Sequence, residues 1–356
     1  MQSLAECNED PRLLVFNCHE AWVYQLRVLG LPLDIVVGLP GRYCRDWDLR
    51  MRPVPPNSRL ITLDQALNNP QPYACLIVHN LTDLLDVRSR PEPRLLVLHL
   101  SLEARRLDER STLDLRRLRE MVRTYLAMTE THAIAVTESK ARSWGVTESV
   151  VHNGVDPRES LPPHSGELAC GLRVCNFILK RRQYTLWDLH QKAFEGLPVR
   201  IVGHNPGIPG AAPSNDWNHL RQLLASHRFY IHTADPRLED GYNMATLEAM
   251  AAGLPVLGNV HPTSPVRSGV SGFLSDDPLQ LRGYAELLLS DRDLAHRMGQ
   301  EARRTVLERF PLAHFKQGLH RAIEVARRKR LHVRTSAWDA PPPGRSGRRD
   351  LAAASC

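Results

Sequence analysis

No apolar run in the 356-residue chain approaches the roughly 20 residues that a membrane-spanning helix needs. The opening MQSLAECNEDPR lacks the basic n-region of a secretory signal, so none is expected. Seven cysteines, at 7, 18, 44, 75, 170, 175 and 356, include no CxxC pair. Their odd number and spacing argue against a zinc ribbon and for a reducing compartment, with cytoplasm as the expectation. There is no HExxH and no paired Cys/His spacing. The D-x-D at Asp46-Trp47-Asp48 recurs at Asp291-Arg292-Asp293, as chance allows in a chain of this size, so no required metal is expected. Lysine occurs only at 140, 180, 192, 316 and 329, and every other basic residue behind the formal charge of +7 is arginine. Many arginines fall in mixed-charge segments such as LDLRRLREMVR. No clustered stripe or groove-reading motif appears, so nucleic acid is not an expected partner.

Hydrophobic residues make up 42 % and charged residues 24 %, ordinary for a globular chain. At about 100–200 residues per domain the length suggests two domains. Short apolar runs at 13–18, 34–39, 59–63, 74–78, 94–98, 133–137 and 149–152 read as strands. Helices are expected over 21–29 and over 113–128, the latter capped by Ser111 or Thr112. After a polar, Pro-containing stretch the pattern restarts. Strands are expected at 172–177, 199–203, 229–232 and 255–258. Helices are expected at 186–194, 220–225, 244–252, 278–289, 291–308 and 312–330. Continuous apolar strands alternating with helices predict parallel sheets covered on both faces. The expected organisation is an α/β chain with a Rossmann-like domain over 1–155, a linker over 156–170 and a second Rossmann-like domain over 171–330. A tail over 331–356, rich in Pro, Gly, Ser, Ala and Arg, reads as disordered and is basic enough to touch an anionic membrane peripherally.

The informative segment is 238–258, LEDGYNMATLEAMAAGLPVLG. It reads as loop, helix and strand, with Asp240 at the loop and Glu248 eight residues on. A helix N-terminus near Tyr242–Ala245 offers free backbone N–H groups and partial positive charge, a site for a diphosphate. A carboxylate further along can accept both hydroxyls of a ribose. On the residues alone, a buried helix with a locally satisfied Glu248 fits as well.

The segment resembles the signature of the retaining family 4 glycosyltransferases, E-G-F-G-x-x-x-x-E-A-M-A-x-G-x-P-V, whose fold is GT-B: two Rossmann-like domains facing each other across a cleft. Glu248, Ala249, Met250, Ala251, Gly253, Pro255 and Val256 match. Asp240 stands at the first glutamate, with Glu239 adjoining it, Tyr242 at the Phe and Asn243 at the second Gly. Segments VRSGVSGFLSDD (266–277), RMGQEAR (297–303) and VHNGVD (151–156) resemble further family stretches.

The resemblance implies a metal-independent, retaining hexosyltransferase without a cofactor. It would use a nucleotide-diphosphate sugar and a glycan or lipid-linked acceptor, as in polysaccharide biosynthesis. It places Glu248 on the ribose and Asp240 or Glu239 at the sugar. Gly241, Tyr242, Asn243 and Met244 would line the phosphates and sugar. Lys180, Arg181 or Arg182 would meet the diphosphate, although the family's G-R-x-x-x-x-K-G spacing is not reproduced. His99, at a strand's carboxyl end, matches a family histidine by the reaction centre. His19, His79 and Glu103 are the candidates on the acceptor side. The family's Gly-rich turn after the first strand is replaced by Asn17-Cys18-His19-Glu20. That departure, with Asp240 and Asn243, leaves open a degenerate sugar- or partner-binding subunit; a nucleotide-sugar epimerase is a further alternative.

Overall fold

The computed structural model describes residues 11–42, 44–159 and 162–338. The first domain is built on six strands, β1 (Leu13–Phe16), β2 (Leu33–Val36), β3 (Ser58–Ile61), β4 (Cys75–Val78), β5 (Arg94–Leu98) and β6 (His132–Ala135). All pair in parallel, in the order β3-β2-β1-β4-β5-β6. In β1, Leu13 and Val15 enter one core while Leu14 and Phe16 enter the other, as the two-residue period of a strand requires. Helices α1 (Glu20–Gln25), α2 (Leu63–Leu67), α3 (Leu81–Asp86), α4 (Leu102–Asp108), α5 (Leu115–Met128) and α6 (Glu138–Trp144) connect the strands.

The second sheet contains β7 (Leu168–Val174), β8 (Val199–Val202), β9 (His227–Ile231), β10 (Val256–Gly258) and β11 (Gly272–Leu274), all parallel, in the order β11-β10-β9-β7-β8. Its helices are α7 (Trp187–Phe194), α8 (Trp217–Ser226), α9 (Met244–Ala252), α10 (Pro278–Ser290) and α11 (Arg292–Arg309). A final helix, α12 (Leu312–Trp338), follows. The order of connection reverses between β1 and β4 in one sheet and between β7 and β9 in the other. In open α/β sheets ligands bind outside the carboxyl ends of the strands at such points.

Several expectations need correcting. Residues 149–152 form no strand; Val150 makes a single bridge to Ala135. Helix α5 is capped by Asp114, whose carboxylate accepts from the Arg117 amide, not by Ser111 or Thr112. Helices α2, α3, α4 and α6 form where no helix was expected, and each starts on a Thr, Asn or Ser cap. Strand β7 begins inside the expected linker.

The largest difference is α12. Expected in the second domain, it returns to the first. Phe315, Leu319, Ala322, Ile323 and Ala326 share a core with Leu13, Trp22 and Val97. Each large apolar side chain buried there contributes about 1.5–3 kcal/mol. The helix also runs through residues 331–338, at the start of the expected disordered tail; residues 339–356 lie outside the described part. Among the described residues no helix is long and apolar enough to cross a membrane.

Candidate active site

On the second-domain side, the α9 N-terminus is set by Asn243. Its Oδ1 accepts from the Thr246 amide at 2.9 Å and the Thr246 hydroxyl at 3.0 Å. Among the described residues the Asn243, Met244 and Ala245 amides have no acceptor in the chain and stay free for an anion. The Gly241 amide is taken, donating to Thr263 Oγ1 at 2.8 Å. A Cβ on Gly241 would lie 2.7 Å from His261 Nδ1 and 2.8 Å from the Ser264 amide nitrogen, so close packing explains this glycine. Tyr242, expected beside the donor, instead turns into the second-domain core against Phe310, with its hydroxyl 3.2 Å from His152 Nδ1.

Glu239 and Asp240 reach across the cleft. Asp240 is fully buried and accepts from Ser139 and, at 2.9 Å, from Thr137 Oγ1. Lys140 Nζ lies 2.9 Å from Glu239 Oε1 and 2.9 Å from Asp240 Oδ2. Burial opposes charge on all three groups. The mutual attraction outweighs it, so both carboxyls sit below their ordinary values and Lys140 above its own. Thr137 and Ser139 are available because Thr137 caps α6 just beyond the β6 carboxyl end.

Of the three candidate cations after β7, Arg181 turns inward, 3.2 Å from Glu239 Oε2. Arg182 pairs with exposed Asp188, and Lys180 is exposed. Glu248 lies one turn along α9 and is bonded to Arg52 of the first domain. Burial raises its carboxyl above the usual range, with Arg52 pulling the other way. The Arg52 guanidinium is itself buried and lies 3.4 Å from the centre of the Trp217 ring.

The opposite wall is built on β1, β4 and β5, which are neighbours in the first sheet. His79 Nδ1 and His99 Nε2 are 3.0 Å apart, and Cys18 Sγ lies 3.7 Å from the same His99 nitrogen. The Trp22 ring stands edge-on to both imidazoles at 4.9 and 5.1 Å. Burial pushes His79 down to about 3 and His99 well below its ordinary value, so both rings are neutral near pH 7. His19 is half-buried at the start of α1; burial lowers it, Glu20 opposing and Arg52 assisting. The Glu103 carboxylate is bonded to Arg119 and Ser143, which ties α4 to α5 and α6. The Asp46–Asp48 pair diverges, with Asp46 on Arg45 and Asp48 on Arg50.

Sequence reasoning missed Lys140, Arg52, Trp217 and Cys18. Only Lys140 carried a signal, as one of five lysines placed at a strand's carboxyl end in T-E-S-K. Arg52 is indistinguishable in sequence from dozens of other arginines.

This two-sheet arrangement recurs in solved structures. HepE of Anabaena, solved with UDP-glucose, superposes with a TM-score of 0.63 at 12% identity, covering 88% of this chain and 99% of that one. Sucrose-phosphate synthase from Thermosynechococcus elongatus gives 0.60 at 12% identity, covering 92% and 100%. The fold is GT-B. TarM, a Staphylococcus aureus protein solved as a mutant with UDP, has a TM-score of 0.55 at 12% identity over 70% of this chain, which spans about half of TarM (55%). Within the GT-B frame, residues 181–338 match the model of the glycosyl transferase-like family. No curated protein matches the chain in sequence.

Proposed function

We propose that the protein is a glycosyltransferase that moves a hexose from a nucleotide-diphosphate sugar to a glycan or lipid-linked acceptor, retaining anomeric configuration and using no metal for the transfer. The supporting observation is that Arg181 is drawn onto Glu239, just ahead of the α9 N-terminus with its free amides, at the reversal point of the second sheet. Developing charge on a departing diphosphate needs donors already in place, which this arrangement supplies. Glu248 would hold the ribose once Arg52 moves aside. Glu239, between Lys140 and Arg181, is better placed than fully buried Asp240 to meet the sugar. His99, neutral, would hydrogen-bond the sugar near the anomeric carbon. Attack on the face the diphosphate leaves, with a phosphate oxygen taking the acceptor proton, fits a cleft whose Asp240 is already committed. HepE was solved with UDP-glucose, which makes uridine diphosphate sugars the first donors to try.

The experiment is thermal stabilisation by a panel of nucleoside diphosphates and their sugars, with turnover of the stabilising donor followed by NMR of the product's anomeric proton. At 100 times Kd a specific ligand adds about 2.7 kcal/mol of stability. Stabilisation lost in Glu248→Ala, with a retained anomer, is the expected result. Stabilisation by no member, or an inverted product, rejects the reading. One observation favours a second reading: Asp240 is saturated by Thr137, Ser139 and Lys140. Donor binding without turnover for any acceptor would make the chain a sugar-binding subunit.

A further inference from the structure

Three loops at the carboxyl ends of adjacent strands bring Cys18, His79 and His99 together. One potential ligand atom from each lies within 4.8 Å of the others. Two of the three edges are 3.0 Å, between His79 Nδ1 and His99 Nε2, and 3.7 Å, between Cys18 Sγ and that same Nε2. With metal–nitrogen bonds of about 2.0–2.1 Å and metal–sulfur bonds of about 2.3 Å, a tetrahedral zinc ion separates neighbouring nitrogens by about 3.3 Å and nitrogen from sulfur by about 3.6 Å. The observed edges bracket these values. The third edge, between Cys18 and His79, is within 4.8 Å.

One hydrogen bond at His99 Nε2 cannot serve both of its neighbours. His99 Nε2 carries either one lone pair or one proton, yet it faces both a thiol and an imidazole nitrogen. A cation bound by all three would resolve that competition. Both imidazoles are fixed edge-on by Trp22 and are in the neutral, ligating form. Burial, and after it Cys44, Asp83 and Glu20, push the Cys18 thiol well above its ordinary value, so a bound cation has to displace its proton; the two carboxylates make the surroundings negative. Lys140 acts on His99 with the opposite sign, but its charge is matched by Glu239 and Asp240. The chemistry of one thiolate and two imidazoles suits a borderline-soft d10 cation.

We propose that Cys18, His79 and His99 form a three-ligand site for zinc, with a fourth position open to the cleft, and that the bound ion withdraws His99 from the reaction centre. Binding replaces the Cys18 S–H bond by a zinc–sulfur bond and releases one proton to solvent. The binding half stands on geometry alone. The withdrawal of His99 rests on the transferase reading.

The test is titration of the full chain, stripped with chelator under reducing conditions, with Co2+ as a spectroscopic stand-in and Zn2+ in competition. One equivalent of cobalt should give a thiolate charge-transfer band and the strong visible bands of a tetrahedral ion, both displaced by zinc. Cys18→Ser should abolish the charge-transfer band, and His79→Gln should weaken binding at least tenfold. Cys170→Ser, in the second domain, should change neither; circular dichroism checks that each variant is folded. No thiolate band in the wild type, or a band that survives in Cys18→Ser, overturns the site. Zinc should lower wild-type donor turnover, while Cys18→Ser should keep its own zinc-free rate when zinc is added. Zinc bound at this site with turnover undiminished overturns the withdrawal of His99. A metal-free chain without turnover rejects the transferase reading and leaves the cobalt result standing.

Discussion

Arg52 of the first domain is bonded to Glu248 of the second and stacks on Trp217, so an arginine from one half of the molecule occupies the carboxylate proposed for the ribose in the other. The two halves are thereby held together across the proposed nucleotide site. A donor must displace the guanidinium before its ribose meets Glu248, and that displacement subtracts from apparent affinity. Charged hydrogen bonds contribute about 1.5–3 kcal/mol. Arg52→Ala should therefore tighten nucleoside diphosphate binding by roughly tenfold or more, read by calorimetry. Weaker binding in the variant would mean that Arg52 holds the donor and does not compete with it.

Gly241 and Gly283 give opposite expectations for the same substitution. A Cβ at Gly241 meets His261 and the Ser264 backbone below 3.0 Å, so Gly241→Ala should cost about 1–3 kcal/mol and disturb the turn that presents Glu239. Gly283 lies within α10 with open space around it. Gly283→Ala should stabilise by about 0.4–1 kcal/mol through the unfolded chain. Denaturant midpoints of the two variants check both signs.

The doubly wound halves were legible because their strands are buried on both faces and read as continuous apolar runs; Arg94–Leu98 and Met244–Ala252 form over the spans expected of them. Helices of five to seven residues, such as Leu81–Asp86, are too short to show a period and are fixed by caps and packing. The return of the last helix to the first domain was invisible because its apolar stripe states that a face is buried, not against what. In the site, Glu248 was marked by the family-like segment, and Arg181 was one of three cations that the sequence left open. Lys140 and Arg52 do not follow from local pattern, since each meets its partners more than ninety residues away in the chain.

His190 should make the protein acid-sensitive. It is buried against Trp187, with ring centres 4.6 Å apart, and burial pushes it down to about 2. The folded chain keeps this ring neutral while the unfolded chain protonates it below its ordinary value of 6.5. Its contribution is fully present above that value and is lost as pH falls from there towards the folded value. Between pH 8 and 5 the loss is about 2 kcal/mol. His190→Phe removes the titrating group and should flatten the stability–pH curve by about one proton in that window. An unchanged slope, from chemical denaturation at several pH values, would refute the assignment.

Lys140 should matter at both ends of the pH scale. Removing one partner of a buried ion pair costs about 3–5 kcal/mol because the remaining charge is left uncompensated. In Lys140→Met Asp240 is left in that state, while Glu239 keeps Arg181. Glu239 and Asp240 are held below their ordinary values of 4.5 and 3.8, so their contribution is present above those values and lost as pH falls through the depressed ones. Lys140 is raised above 10.5, so its contribution is present below that value and lost as pH rises through the raised one. The stability difference between wild type and Lys140→Met should therefore be widest on a plateau from about pH 5 to 10 and narrow on both sides. Adding Glu239→Gln and Asp240→Asn to the variant should recover much of the loss, because neutral amides no longer need the cation. If the single and triple variants unfold together across the whole range, the lysine does not hold the domains through these carboxylates.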